Sequence, residues 1–230
     1  MTITRDRLAL ILLIALGASF LALCAWLSPG GRGQLSASEV DAYIERLAGH
    51  LPASAEEEAE FLRRLRGWGE ADDGQPVYML NVMSYFAELH HVPGDEAVRG
   101  TPAEANATYE RAVMPMLLRL GAFPVFAGQC SGVRIATSWH KDIIGAVRGL
   151  DECDRVLVVR YPNRRAFFRL ISDPGYFKIA PYKFASLTLS LVPIEAQANL
   201  PDPRWVAGAL LLCVALAAGW WRAARRAPAS

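Results

Sequence analysis

Two uncharged apolar runs, residues 8–27 and 205–221, bracket a middle whose apolar positions recur with the periods of helix and strand. Val40, Tyr43, Ile44 and Leu47, then Phe61, Leu62 and Leu65, fall at helical spacing on either side of Pro52 and predict a helical pair. Ser38, with Asp41 three residues on, is the expected cap of the first helix. Ser54 is that of the second, ahead of Glu56, Glu57 and Glu58, whose charges suit a helix N-terminus. Beyond Gly74, residues 76–85 are apolar, β-branched and aromatic and have the length of a strand. Residues 101–120 read as a helix with Tyr109, Val113, Met116, Leu117 and Leu120 on one side. Gly121 is placed to end this helix, and Pro115 is expected to kink it by removing the amide that would bond Arg111. Residues 123–129 and 155–161 are the second and third strands, separated by a polar stretch containing His140 and Gly145. Asn163 caps a helix carrying Phe167, Leu170 and Ile171 that ends near Asp173 and Pro174; a short helical piece at 176–184 then precedes the last strand, 187–193.

The order strand, helix, strand, strand, helix, strand predicts an α+β chain: a ferredoxin-like βαββαβ sandwich with both helices on one face of the sheet. Period two along the first strand puts Val77, Met79, Asn81, Met83 and Tyr85 on one face and Tyr78, Leu80 and Val82 on the other. Along the last strand, Leu187, Leu189 and Leu191 oppose Thr188, Ser190 and Val192. Both faces of the first and third strands are mostly apolar, so neither is expected to meet water. A second copy of the chain is the expected cover, which predicts a homodimer with facing sheets, a dimeric α/β barrel.

The terminal runs change the picture of location. At 1.5 Å per residue, residues 8–27 make a helix of roughly 30 Å, the thickness of a bilayer's hydrocarbon, and 205–221 are bounded by Trp205, Trp220 and Trp221. Arg5, Arg7, Arg222, Arg225 and Arg226 lie outside the runs. The positive-inside rule therefore places both termini in the cytoplasm, in a two-pass protein of the inner membrane whose globular body is extracytoplasmic. A cleaved signal peptide is the alternative for the first run, which is longer than the usual core of about 7–15 residues. The expected divisions are a tail (1–7), a transmembrane helix (8–27), a linker with the helical pair (28–75), the ferredoxin-like domain (76–195), a linker (196–204), a second transmembrane helix (205–221) and a tail (222–230). Hydrophobic residues make up 53% of the chain, and the excess lies in the two runs. Without the terminal arginines the body is slightly acidic, which excludes a nucleic-acid partner. Cys130 and Cys153 lie in the body and are disulfide candidates, with two buried thiols as the alternative.

Candidate chemistry is sparse. Asn81 interrupts an apolar strand, and a buried amide must find partners or cost about 1–3 kcal/mol. Arg160 and Ser190 are expected to share an inter-sheet interior with it, with Tyr85 nearby, forming an apolar pocket with a cationic end that suits a small aromatic or acidic ligand. A structural hydrogen-bond network is the competing reading. His90 and His91 are adjacent in a loop and would point apart, and no C-x-x-C, H-x-x-x-H or H-E-x-x-H spacing occurs, so no metal is expected. No phosphate-binding glycine loop or nucleophile elbow is present, and no cofactor is expected.

The segments QPVYMLNVMSY, ATYERAVMPMLLRLGAFPVFAG and DRVLVVRYPNRRAFFRLISDPGYFKIAPYKFASL resemble a bacterial family of dimeric α/β-barrel domains of unknown function, similar in fold to the antibiotic-biosynthesis monooxygenases. The likeness runs from about Phe61 to Ile194. Its marks are Met79-Leu80-Asn81, Tyr109 with Pro115 and Gly121, and Tyr161-Pro162 leading to Asp173-Pro174. Cys153, where the family often has an aromatic residue, and Pro181-Tyr182-Lys183, where it has a basic-rich turn, depart from the pattern. The resemblance implies a fold more than a function. The resulting expectation is a membrane-anchored dimeric ligand-binding or interaction module. The alternatives are a cofactor-independent monooxygenase or isomerase acting on a small aromatic or lipid-borne substrate, and an accessory subunit of a membrane complex; whether the chain is an enzyme stays open.

Overall fold

In the computed structural model the described residues are 33–51 and 54–195, with scattered positions between 11 and 26 and between 209 and 223. The chain divides into a unit spanning Met1–Glu195 and a second, Ala196–Ser230, whose described residues are helical.

The first unit opens with two helices, α1 (Ala37–Leu47) and α2 (Ala55–Glu70). Ser36, rather than the expected Ser38, caps α1: its hydroxyl accepts from the Glu39 amide, and Glu39 reaches back to the Ser36 amide. The reciprocal box needs a carboxylate long enough to return to the cap, and glutamate three residues on supplies it. Ser54 caps α2 in the same way, through Glu57. Strand β1 (Val77–Tyr85) follows, then α3 (Pro102–Arg119), which is capped by Thr101 and remains one helix through Pro115. Gly121 turns the chain out of α3 with φ +67°, a left-handed conformation that glycine adopts without steric cost. Strand β2 (Phe123–Gln129) precedes a short hairpin that the periodicity does not reveal, β3 (Val133–Ile135) with β4 (Ser138–His140). Strand β5 (Arg155–Tyr161), α4 (Arg164–Ile171), α5 (Pro174–Phe184) and β6 (Leu187–Ile194) complete the unit.

The four long strands form one antiparallel sheet in the order β2-β5-β1-β6. With α3 and α4–α5 as its crossovers, this is a ferredoxin-like arrangement, the predicted α+β class. Registers set the faces. Met79, Asn81 and Met83 align with Val159, Leu157 and Arg155 on one side and with Pro193, Leu191 and Leu189 on the other. This face packs on the helices: Val77, Met79, Val159 and Tyr161 enter one buried cluster with Tyr109, Val113, Leu117, Phe167 and Phe168. The opposite face carries Tyr78, Leu80, Val82, Val156 and Val158, none of which enters a buried cluster.

The helical pair docks on α4 through polar as well as aromatic contacts. The Asp72 carboxylate accepts from the Leu35 amide (2.8 Å) and pairs with Arg164, whose guanidinium donates to Trp68 O (2.6 Å). Arg165 donates to Gly33 O, Gln34 O and Glu39, and its hydrogen bonds hold the Glu39 carboxyl down to about 2. Cys130 and Cys153 are disulfide-bonded with their Cα atoms 5.8 Å apart, closing the loop that carries β3 and β4.

The two expected transmembrane segments lie largely outside the described residues. Among the described residues no helix is long and apolar enough to cross a membrane. That overturns the expected two-pass inner-membrane placement with an extracytoplasmic body. Trp26, within the first run, is engaged by the domain: its indole N–H donates to Leu118 O (2.7 Å) and its ring stacks on Phe123 at 5.9 Å. An apolar run long enough to span can equally supply surface that packs on protein, and length alone does not separate the two uses.

Candidate functional site

Between the helix-facing side of the sheet and the helices lies a cavity of about 1010 Å³, at the upper end of the usual size for small-molecule sites. Its walls are aliphatic and aromatic: Met79, Leu157 and Val159 from the sheet, Val113 and Leu117 from α3, Phe167 and Leu170 from α4, and Trp68 and Leu65 from α2. His50 and Phe177, also in the wall, stack at 4.4 Å. The edge strand β6 supplies a further wall, residues 187–193.

Lys183 is the cation in this lining with least exposure, 5%. It sits on α5 two turns beyond Tyr176 and one beyond Ala180, so helical spacing turns it inward with them. Its Nζ donates to Asn81 Oδ1 at 3.0 Å and lies 5.1 Å from the centre of the Tyr109 ring. The amide of Asn81 is fixed by its own donors, which go to Met79 O (3.0 Å) and Leu157 O (3.2 Å), so its oxygen is left to face the lysine. Removal from water lowers the Lys183 amine to about 8, against an opposing pull from the charge of Glu110. Glu110 does not reach Lys183 as an ion-pair partner. It is held by Arg155 through two hydrogen bonds of 3.0 Å and accepts a third from Asn106. The ammonium thus carries three donors and uses one on protein among the described residues.

Two phenols complete the polar floor. Tyr109 donates to Tyr176 at 3.4 Å, and burial raises both, Tyr109 well above the ordinary tyrosine value. Tyr161, also in the wall, is raised for the same reason. All three stay neutral through the physiological range and can donate a proton in a hydrogen bond without carrying charge.

The residues expected to form one pocket are divided. Asn81 lines the cavity on the helix side. Arg160 does not: it pairs with Tyr78, one residue out of phase with Asn81, and its guanidinium lies over the Phe123 ring at 5.7 Å on the opposite face. Ser190 aligns with Val82, on that opposite face, yet it lines the same cavity as Asn81, because β6 is the edge strand that the cavity reaches. Tyr85 lines a separate recess of about 310 Å³ with Gln129, Cys130, Asp154 and Arg155, and accepts from Asn106 at 3.3 Å. The cavity that Asn81 lines therefore lies between sheet and helices. His90 stacks on Phe86 and His91 pairs with Asp95, and among the described residues no group of three His, Cys, Asp or Glu could hold a metal ion. Lys183, Glu110 and Arg155 are the polar residues the sequence does not single out. The available signal is a lone lysine on the same helical face as Tyr176 and Ala180.

No family model and no curated protein matches this chain. Among solved structures it is similar to RPA0582, a protein of unknown function from Rhodopseudomonas palustris, with 26% identity and a TM-score of 0.46 over 66% of this chain and 100% of that one. It is also similar to SnoaB, a cofactor-independent oxygenase from Streptomyces nogalater, with 17% identity and a TM-score of 0.34 over 56% of this chain and 99% of that one.

Proposed function

We propose that the chain binds a small apolar, ring-bearing molecule through an anionic or carbonyl oxygen held by Lys183. The supporting observation is the buried ammonium with unused donors in the wall of an apolar cavity: an ammonium taken out of water needs acceptors, and Asn81 supplies one. The apolar walls would contribute affinity through burial of the ring, and Lys183 would set its orientation. Naphthoate is a suitable probe because it joins a flat apolar body to one carboxylate. Calorimetric titration is expected to give one site per chain, and Lys183→Met should weaken binding about 10- to 100-fold, the worth of a charge-assisted hydrogen bond. Equal affinity in the two proteins, or no saturable binding to either, would sink the assignment.

The dimeric form of the barrel belongs to the same proposal. Tyr78, Leu80, Val82, Val156 and Val158 offer an apolar sheet face outside the buried clusters, flanked by Phe126 and Val192, which are 56% and 46% exposed. A second copy would cover that face and leave the ligand cavity on the other side of each sheet. Light scattering of the full chain at micromolar concentration is expected to give twice the mass of 25.2 kDa. A particle of single-chain mass would refute the pairing.

A further inference from the structure

We propose that Lys183 captures an apolar aldehyde covalently, as an imine, in the cavity. This rests on the ligand-binding reading above and names the class of molecule that site would select. In the addition step Nζ attacks the carbonyl carbon and forms a C–N bond, the carbonyl π pair moves to oxygen, and that oxygen gains a proton as nitrogen loses one. The carbinolamine then loses its hydroxyl and the remaining nitrogen proton as water, leaving C=N. One aldehyde and one amine give one imine and one water, and nothing is oxidised or reduced.

Three features separate this from simple anion binding. The first is the choice of lysine. The chain has three, Lys141, Lys178 and Lys183, and is otherwise supplied with arginine. A guanidinium could hold a carboxylate as well but could not give up its proton, whereas an amine can become a nucleophile. The second is how the charges nearby are committed. Lys141 is paired with Asp154 at 3.0 Å, but the carboxylate near Lys183 is bound by Arg155 and Asn106, so no ion pair holds Lys183 protonated. The third is the orientation of the amine. Asn81 Oδ1 accepts one N–H, and a neutral amine so held retains its lone pair for a carbonyl carbon on the cavity side. Burial adds to this: an amine lowered to about 8 is half neutral at that pH, roughly 100-fold more than a lysine with its ordinary value.

The full-length protein would be incubated with naphthaldehyde at mildly alkaline pH with cyanoborohydride, which reduces the imine to a stable secondary amine, and then analysed by intact mass and peptide mapping. One naphthylmethyl group per chain is expected, on Lys183, forming at least about tenfold faster than on Lys178. Excess naphthoate should suppress it, a readout in the wild-type protein that does not depend on any variant folding. Lys183→Arg should lose the adduct, since a guanidinium forms no imine under these conditions. Adducts spread over Lys141, Lys178 and the N-terminus, with Lys183 unmodified and naphthoate still bound, would overturn the imine and leave the ligand site standing. Absence of both naphthoate binding and a Lys183 adduct would overturn both.

Discussion

Phe168→Ala is expected to destabilise the chain by about 3–5 kcal/mol, the range for removing a fully buried aromatic ring and leaving a void. Phe168 has no exposed surface. Its ring lies 5.4 Å from that of Tyr43 on α1 and stacks on Trp68 of α2 at 5.8 Å. At Gly69 the approach is so close that an added Cβ would come within 2.8 Å of Phe168 Cζ, so the helical pair is seated directly on this ring. Most natural domains have only about 5–15 kcal/mol of stability, so the loss could take a large share of the total. It should also reach the cavity, because Leu47, Leu65 and Trp68 of the pair form part of its wall. Urea denaturation would read the first effect and naphthoate titration the second. Unfolding within about 1 kcal/mol of wild type would mean that the aromatic seat carries little of the fold's stability.

The elements legible in the sequence are those whose periodicity comes from burial on one face. Strand β1, whose positions alternate between buried and half-buried, and helix α2 with its Ser54 cap lie where alternation and capping chemistry place them. The first cap shifts by two residues because Ser36 and Ser38 both precede the apolar period, and only the reach of Glu39 decides between them. The β3–β4 hairpin has three-residue strands, too short for any period to register. The candidate site was harder to read for a geometric reason. Counting by two fixes which residues of a strand share a face, but the phase between strands depends on register. Asn81 opposes Leu157, so Arg160 falls on the other face, although each strand separately has the predicted alternation. Lys183 was hidden differently. A single lysine between Tyr182 and Phe184 in a short helical piece does not show which way it faces until α5 is seen to turn it into the apolar wall beside Asn81.

The burial of that lysine should make stability depend on pH. Unfolded, the amine keeps its proton up to the ordinary value of 10.5; folded, burial lowers it to about 8. Below about pH 8 both states hold the proton, and the folded chain carries the full cost of an ammonium in an apolar wall, about 3 kcal/mol. Between about 8 and 10.5 the unfolded chain binds more protons than the folded one, so the unfolding free energy rises with pH by about that amount. Tyr109, Tyr161 and Tyr176 act in the opposite direction, because their folded values are raised and the unfolded phenols ionise first, near 10.0. The climb should therefore be clearest from about pH 8 to 10 and flatten above it. Lys183→Met removes the climb and keeps the fall. It also leaves Asn81 Oδ1 without its donor, at about 1–3 kcal/mol, but that loss does not vary with pH and offsets the curve without tilting it. Urea midpoints across this range for the two proteins would isolate the lysine, and parallel curves would show that it is not buried as a cation. Saturating naphthoate offers the ammonium the acceptor it lacks, so the wild-type climb should begin at higher pH with ligand bound. By linkage, naphthoate affinity should then fall by up to tenfold per pH unit above about 8.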